Sequence, residues 1–322
     1  MSNDILVFAE HLNGNLEDVT FELLGKGREL AGQSGGQLAV ALLGNDIKNL
    51  AGKLGAADKV FSVNHAQLAS FNPEAYGKAL AAVVAAGEPK LILIPNTSMG
   101  MDLAAALSAA SDIPLVAYAV DVRLESGAPV VVSQLYGGKV NVESQLEGEQ
   151  NIVSVIAGSF LAEAGQKEGA PAVEELPAPE GLDALRVRFR RLIQPEAGDV
   201  DITQQDVLVS IGRGIQSEDN IPIAQELADA LGGAVSCSRP IVDNKWLPKV
   251  RQVGKSGLKV KPKLYLALGI SGAPEHIEGM KDAELIVAVN ADPEAPIFDY
   301  AHYGYVGDLF DIVPALTEKV KG

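Results

Sequence analysis

The chain has 322 residues, of which 47% are hydrophobic and 5% aromatic, and its formal net charge is −16. This length predicts about two domains of roughly 150 residues each. Binding to nucleic acid or to anionic lipid requires a positive surface, so the charge excludes both as expected partners.

The chain contains a single cysteine, Cys237. One thiol forms neither an internal disulfide nor a cysteine-rich metal site, so we expect a reducing compartment and no metal. No stretch approaches the roughly 18 continuous apolar residues of a membrane helix, and the N-terminus has no secretion signal. These features predict a cytoplasmic protein without membrane insertion.

The first half of the chain alternates apolar runs with helical patterns. Apolar runs without alternation indicate strands that are covered on both faces, as in a parallel sheet. The predicted strands are 5–9, 37–43, 60–63, 91–95 and 150–157, and the predicted helices are 17–31, 73–86 and 98–110. Strand-like pieces at 120–124, 130–135 and 139–145 are joined by Ser126-Gly127 and Gly137-Gly138, which are hairpin signals. We predict an α/β domain over 1–160 with a small antiparallel addition.

The composition changes after this domain. Residues 161–182 are rich in Ala, Glu, Pro and Gly, which predicts a linker or an extended surface arm. Residues 185–194 interleave arginines with apolar residues, which favours an edge strand with a charged outer face. We therefore predict a linker and edge segment over 161–202.

A second α/β domain is predicted over 203–322. Its strands are 207–211, 264–268 and 285–289, and its helices are 221–231 and an amphipathic helix that follows Asp308. The predicted fold class is thus α/β with two mostly parallel sheets and flanking helices, the second of them doubly wound.

Four turns in this second domain follow a strand or lead into a helix, where open parallel sheets bind ligands. In chain order they are Gly212-Arg213-Gly214, Cys237-Ser238-Arg239-Pro240, Gln252-Val253-Gly254-Lys255-Ser256-Gly257 and Gly269-Ile270-Ser271-Gly272-Ala273-Pro274-Glu275-His276. We call them the first, second, third and fourth turns. Their glycines let the backbone approach a ligand, and exposed N–H groups suit phosphate oxygens.

Several of these turns also have a simpler interpretation. The first suits an ordinary strand-to-helix connection, and the basic residues around the third suit a solvated face. The fourth would direct backbone N–H groups and Ser271 at a pyrophosphate, and His276 is either structural or functional. The Gly-Lys-Ser triplet of the third turn does not predict an NTPase, because Val250 stands where a phosphate loop needs glycine.

Several other polar residues have competing interpretations. Asn290 ends a strand and Asp308-Leu309 precedes the last helix, which fits the far end of a dinucleotide, although Asp308 also suits a helix N-cap. Cys237 is interpreted as a small buried residue, since no base is identifiable beside it. His11, His65 and His302 are interpreted as ordinary loop or strand-end residues.

Together these segments resemble the alpha subunits of electron transfer flavoproteins. The resemblance rests on Ser210-Ile211-Gly212-Arg213-Gly214, Gln252-Val253-Gly254, Gly269-Ile270-Ser271-Gly272 with His276, and Asp292-Pro293-Glu294-Ala295-Pro296-Ile297-Phe298. The first half is similar more loosely, at Phe8-Ala9-Glu10-His11 and Gly100-Met101-Asp102-Leu103.

This resemblance implies one FAD in the C-terminal domain and a heterodimer in which the N-terminal domain docks a beta subunit. It implies that Arg213 and Ser238 contact FAD, that Arg239 lies over the flavin and that Ser256 reaches the ring edge. It also implies that His276 approaches the pyrimidine oxygen. The other implied cofactor-binding residues are Gln252, Val253, Gly254, Lys255, Gly257, Gly269, Ile270, Ser271, Gly272, Ala273, Pro274, Glu275, Asn290, Asp308 and Leu309.

Two departures from the family pattern bear on the redox potential. Lys255 stands where an uncharged residue is usual, and Pro274-Glu275 replace an apolar–glutamine pair. A cation about 4 Å from a negatively charged flavin would interact by roughly 4 kcal/mol at an effective dielectric near 20. Arg239, and His276 if it is charged, would therefore raise the reduction potential.

The resemblance implies an electron carrier without catalytic residues, and no acid–base pair, triad or metal set stands out in the sequence. The implied donors are dehydrogenases of the acyl-CoA type, and the implied acceptor is a quinone reductase. Two alternatives stay open: a subunit of an electron-bifurcating flavoprotein that oxidises NADH, and a non-redox nucleotide-binding module.

Overall fold

The computed structural model describes residues 3–136, 138–192 and 200–322. Its contacts divide the chain into two compact units, residues 1–191 and 192–322. Gly137 of the predicted second hairpin turn, and residues 193–199 of the predicted linker and edge segment, lie outside the described residues.

The first unit is built on one large sheet with helices on its faces. Its strands are β1 (Ile5–Phe8), β2 (His11–Leu12), β3 (Asn15–Leu16), β4 (Leu38–Gly44), β5 (Lys59–Asn64), β6 (Leu91–Pro95), β7 (Leu115–Glu125), β8 (Ala128–Leu135), β9 (Val140–Gln145), β10 (Asn151–Val155) and β11 (Ala172–Leu176). Its helices are α1 (Asp18–Ser34), α2 (Pro73–Gly87) and α3 (Ser98–Ser111). Among the described residues the sheet order is β11-β5-β4-β1-β6-β10-β7-β8-β9, and β2 pairs with β3 in a separate hairpin.

The pairing directions confirm the predicted mixture. Neighbours from β11 to β7 are parallel, whereas β7, β8 and β9 pair antiparallel. Two apolar clusters cover the two faces of the parallel part, one with Leu23 and Leu30 of α1 and the other with Leu80 of α2 and Leu103 of α3. The predicted antiparallel addition is therefore a three-stranded extension of the sheet.

The segment expected to be a linker or an extended surface arm contributes a strand to the first unit. Residues 161–191 belong to the first unit, and β11 within them pairs in parallel with β5. The expected edge strand at 185–194 is not a strand over its described part, 185–192. Instead, the backbone N–H groups of Arg186 and Val187 donate to the Glu74 carboxylate, which satisfies them without a strand ladder.

The second unit contains a parallel sheet with helices on both faces. Its strands are β12 (Val207–Ile211), β13 (Ala234–Cys237), β14 (Leu264–Leu268), β15 (Leu285–Asn290) and β16 (Tyr303–Val306), and its helices are α4 (Ile221–Ala230), α5 (Arg239–Asp243), α6 (Pro274–Ile277) and α7 (Leu309–Lys321). The described strands follow the order β13-β12-β14-β15-β16, and every neighbouring pair is parallel. This order reverses direction between β12 and β14, which is the switch point of a doubly wound sheet.

Two apolar clusters hold this sheet, one on each face. The three predicted strands and both predicted helices are present, while β13 and β16 were not predicted as strands. Over the described residues, no helix combines the length and apolar character needed to cross a membrane.

Candidate functional site

A cleft of about 700 Å³ lies at the carboxyl edge of the second sheet, where the four turns meet. Its position at the end of β12 and β14 is the switch point at which doubly wound sheets bind ligands. Sixteen residues of the expected cofactor site line it: Arg213, Ser238, Arg239, Gln252, Val253, Gly254, Lys255, Ser256, Gly269, Ile270, Ser271, Gly272, Ala273, Glu275, His276 and Asn290. The structure therefore brings residues up to 77 positions apart in the chain into one cleft.

Four expected residues lie outside the lining: Gly257, Pro274, Asp308 and Leu309. Asp308 is the N-cap of α7, since its carboxylate accepts from the Phe310 N–H at 2.9 Å, and Leu309 is buried in the apolar cluster beside that helix. In the second unit, Asp308 therefore makes the contacts of a helix N-cap.

Four lining residues were not included in the expected site: Gly214, Pro240, Asp292 and Ala295. Gly214 and Pro240 belong to the first and second turns themselves. Asp292 and Ala295 belong to the run at 292–298 that supported the family resemblance. That run was a recognisable signal, and its position directly after β15 was a reason to include it.

Glycines allow the first and fourth turns to pack against each other. The Gly214 N–H donates to the Gly269 carbonyl at 3.0 Å, and a Cβ on Gly214 would lie 2.6 Å from Gly269 Cα. Gly272 has a φ of +89°, and a Cβ there would collide with the backbone N of Ile297. Side chains at these positions would push the turns apart and change the shape of the cleft wall.

The third turn is held to the second and fourth by backbone hydrogen bonds. The Val253 N–H donates to the Cys237 carbonyl at 2.8 Å, and the Lys255 N–H donates to the Glu275 carbonyl at 2.7 Å. Within the turn, Gln252 Nε2 donates to Ser256 Oγ at 2.9 Å. The three turns therefore form one continuous wall rather than separate loops.

Backbone donors are available at the start of the fourth turn. In the chain as described, the N–H groups of Ser271, Gly272 and Ala273 donate to no protein acceptor. Asn290 braces this turn from β15, because its Nδ2 donates to the Ile270 carbonyl at 2.8 Å. Consecutive free N–H groups of this kind suit an anionic group such as a pyrophosphate.

Three cations and two carboxylates line the cleft. Arg213, Arg239 and Lys255 supply the positive charge, and Glu275 and Asp292 the negative charge. The Arg239 guanidinium forms an exposed ion pair with Asp243 at 3.4 Å. The lining side chains alone thus sum to one net positive charge, and Asp243 beside Arg239 and Glu278 beside Lys255 offset it.

His276 is buried in the cleft wall, and its Nε2 lies 2.9 Å from Tyr265 Oη. Burial lowers the pKa of His276 to about 4, and the Val253 backbone opposes that shift. Its Nδ1 makes no hydrogen bond of good geometry with the described chain. In the chain without cofactor, His276 is therefore neutral at physiological pH and does not act as a cation.

Cys237 and the other three histidines have structural contacts. Cys237 is fully buried, and burial raises the pKa of its thiol to about 12. His11 Nε2 lies 2.7 Å from the Leu43 carbonyl, and the Nδ1 atoms of His65 and His302 accept backbone N–H groups. Within the described ranges, no three His, Cys, Asp or Glu side chains are arranged to hold a metal ion.

Comparisons with known proteins identify the family. The family description "Electron transfer flavoprotein domain" matches residues 5–181, and "Electron transfer flavoprotein FAD-binding domain" matches residues 201–281. The chain belongs to the electron transfer flavoprotein family. It is 34% identical to the electron transfer flavoprotein alpha subunit of Thermoanaerobacterium thermosaccharolyticum, over 99% of this chain and 98% of the relative.

Some other relatives carry the same name, and others carry a different one. The electron transfer flavoprotein alpha subunit of Methylophilus methylotrophus is 36% identical over 98% of each chain. A relative from Acetobacterium woodii, named lactate dehydrogenase (NAD(+),ferredoxin) subunit LctC, is 33% identical over 99% of this chain and 77% of its own. The family thus confirms the resemblance to an alpha subunit seen in the sequence.

The cleft of this flavoprotein fits FAD, the cofactor of the matched C-terminal domain. Its volume of about 700 Å³ lies within the range of about 300–1,000 Å³ typical of cofactor sites,. The glycine wall leaves room that side chains would fill, and the free N–H groups of 271–273 provide an anion cradle. The residues present therefore suit a dinucleotide.

Proposed function

We propose that this alpha subunit pairs with a beta subunit and carries electrons on FAD. In this proposal the donors are dehydrogenases of the acyl-CoA type, and the acceptor is a downstream protein such as a quinone reductase. The observation that carries it is the cleft lined by residues between 213 and 295, where backbone donors, glycines and cations converge in a domain of the FAD-binding type.

Bound FAD supplies the electron chemistry, while the protein binds and orients it and adjusts its charge environment. We propose that the N–H groups of Ser271, Gly272 and Ala273 bind the pyrophosphate, because they have no acceptor within the described chain. Arg213 and Ser238 line the cleft beside the first turn and would contact the cofactor. Arg239 and Lys255 would supply positive charge near the flavin.

We also propose that the first unit docks the beta subunit. Its antiparallel extension ends in β9, whose outer edge is unpaired among the described strands. Apolar side chains at this end of the sheet are exposed, with Tyr136 80% and Val140 45% accessible. Serine at both positions is expected to weaken co-purification of the two subunits; unchanged co-purification would remove this surface from the proposal.

A second candidate function is supported by the relative from Acetobacterium woodii, whose name includes NAD(+) and ferredoxin. By analogy, this chain would be a subunit of an electron-bifurcating flavoprotein that oxidises NADH. The FAD-binding family domain gives no support to the third alternative, a non-redox nucleotide-binding module.

The lone, buried cysteine supports a cytoplasmic location, which cell fractionation would test.

One set of spectra separates these functions. The co-expressed heterodimer is purified, and its flavin absorbance is followed after addition of either NADH alone or an acyl-CoA dehydrogenase with its substrate. The carrier function predicts bleaching only with the dehydrogenase, whereas the bifurcating function predicts rapid bleaching with NADH. A heterodimer that takes up no FAD would overturn both.

A further inference from the structure

Two ion pairs join the third turn and the residues after it to the region of α6. Lys255 Nζ lies 3.9 Å from a carboxylate oxygen of Glu278, and Lys259 Nζ lies 3.1 Å from a carboxylate oxygen of Asp282. Each carboxylate follows its lysine by the same 23 positions, from 255 to 278 and from 259 to 282. The two pairs therefore repeat one arrangement. They differ at the cleft, because Lys255 lines it and the other three residues do not.

The backbone fixes the distance between the two segments. The Lys255 N–H donates to the Glu275 carbonyl at 2.7 Å, and the Val260 N–H donates to the Gly279 carbonyl at 2.8 Å. A Cβ on Gly279 would collide with the backbone of the third turn. Close backbone packing therefore places Glu278 beside Lys255, and this placement does not depend on the ion pair alone.

The ion pair of Lys255 and Glu278 contributes little to the stability of the fold. Both side chains are partly exposed, and exposed pairs gain little Coulomb energy while they lose side-chain entropy. The larger consequence is the charge at the cleft. Lys255 brings a positive charge to the cleft wall, and the Glu278 carboxylate beside it offsets part of that charge.

We propose that Glu278 is a positioning residue that sets how much positive charge Lys255 delivers to the cofactor cleft. Its own negative charge offsets the lysine, and the ion pair restrains the ammonium beside the carboxylate. The second pair, Lys259 and Asp282, lies outside the lining and has no such effect. The inference rests on the proposed FAD site, because the charge acts on the bound flavin.

The test is a spectroelectrochemical titration of FAD in the purified heterodimer. Lys255→Gln is expected to lower the first reduction potential, because reduction adds negative charge that the ammonium stabilises. Glu278→Gln is expected to raise it, because the offset is lost and the released ammonium can approach the reduced flavin. Both shifts should shrink as salt is added, since the two side chains are partly exposed,.

The double variant shows whether Glu278 acts through Lys255. In the Lys255→Gln background there is no ammonium to release, so Glu278→Gln should raise the potential less than it does alone. An equal rise in both backgrounds would mean that Glu278 acts only by its own charge, and it would overturn the positioning role. An unchanged potential in Glu278→Gln would overturn the whole proposal.

The second ion pair supplies matched controls. Lys259→Gln and Asp282→Asn remove the same charges from the same two segments, but from residues outside the lining. Neither variant should shift the potential. Shifts as large as those at Lys255 and Glu278 would show that the flavin responds to the net charge of these segments, and they would overturn the assignment to one pair.

The affinity for FAD gives a second readout. The isoalloxazine of oxidised FAD is uncharged and the pyrophosphate is anionic, so a lysine near the flavin should affect the potential much more than the affinity for oxidised FAD. Titration of the apo-heterodimer should give wild-type affinity for both Lys255→Gln and Glu278→Gln. A weaker affinity with an unchanged potential in Lys255→Gln would place the lysine at the pyrophosphate. That result would overturn this inference and leave the proposed function standing, whereas a heterodimer that takes up no FAD would overturn both.

Discussion

Arg239 begins the short helix α5 at the edge of the cleft, where its side chain is 71% accessible in the chain alone. We expect Arg239→Ala to lower the first reduction potential of bound FAD, because a positive charge stabilises the negative charge added on reduction. Interaction energies from about 1 to 4 kcal/mol, for dielectrics of about 80 to 20 at 4 Å, correspond to roughly 40–170 mV. Spectroelectrochemical titration of the heterodimer measures this shift.

Two variants control for loss of charge in general. Arg239→Lys keeps the charge and should retain most of the potential, although a lysine cannot reproduce the planar guanidinium. Arg188→Ala removes an exposed arginine from the first unit and should have no effect. An unchanged potential in Arg239→Ala would contradict the placement of this side chain near the flavin.

Glu10 is a buried carboxyl at the end of β1, where its Oε2 accepts from Thr97 Oγ1 at 2.6 Å. Burial raises its pKa from 4.5 to about 7, while the Thr97 hydrogen bond lowers it and Glu17 raises it further. The folded first unit therefore holds this proton more tightly than the unfolded chain. Its contribution to stability is full below pH 4.5 and is lost as the pH rises to about 7.

We expect Glu10→Gln to remove this part of the pH dependence, because the amide stays neutral and its oxygen still accepts from Thr97. The free energy of unfolding should then fall less between pH 4.5 and 7, by up to about 3 kcal/mol. Urea unfolding at several pH values measures it, with the exposed Glu29→Gln on α1 as the control. Identical slopes for wild type and Glu10→Gln would contradict the buried, protonated carboxyl.

At the scale of elements, the fourth turn and α6 depend on a backbone that only glycine adopts easily. We expect Gly272→Ala to weaken FAD binding by about tenfold or more. An alanine at φ +89° is strained, and its Cβ would displace the turn from Ile297,. The displaced backbone would carry the free N–H groups away from the cofactor. Titration of the apo-heterodimer with FAD gives the affinity.

The matched control is Gly77→Ala on α2, where a Cβ would meet nothing within 4 Å. Alanine is the better helix former, so this variant should be as stable as the wild type or slightly more so. FAD affinity should be unchanged in it. Equal affinities for Gly272→Ala and wild type would show that the turn tolerates a shift and that its amides are not the pyrophosphate site.

Strands with continuous apolar runs could be predicted from sequence, and β6, β12 and β14 match their predicted bounds. The edge strands β11 and β16 could not. Residues 172–175 of β11 and all of β16 are exposed, so neither carries the burial signal on which the prediction depended. Parallel pairing holds them, β11 with the distant strand β5 and β16 with the preceding strand β15, and in β11 an ion pair between Lys59 and Glu174 at 2.6 Å adds to it.

The cleft, like the strands, could be predicted from the sequence only in part. Glycine turns after strands indicate where a ligand binds, and sixteen lining residues could be named from them and from the family resemblance. The charge of His276 could not be decided, since it depends on burial and on a contact with the Val253 backbone, which belongs to another turn. Periodicity in sequence contains no information about that contact.

At the scale of the molecule, the two units have separate cores, and all the lining residues of the cofactor cleft belong to the second. We therefore expect FAD to stabilise residues 200–322 and to leave the stability of the first unit nearly unchanged. A ligand at 100 times its dissociation constant stabilises the unit that binds it by about 2.7 kcal/mol. Hydrogen exchange of the heterodimer, read peptide by peptide with and without FAD, measures the two units independently.

The expected result is slower exchange in β12, β14 and β15 with FAD, and equal exchange in β1, β4 and β6 with and without it. The Gly272→Ala variant is the internal control, because at the same FAD concentration its weaker binding should give less protection of the same strands. Equal protection of both units would mean that they unfold together. The cofactor would then stabilise the subunit as a whole, and the separate cores would not act as separate cooperative units.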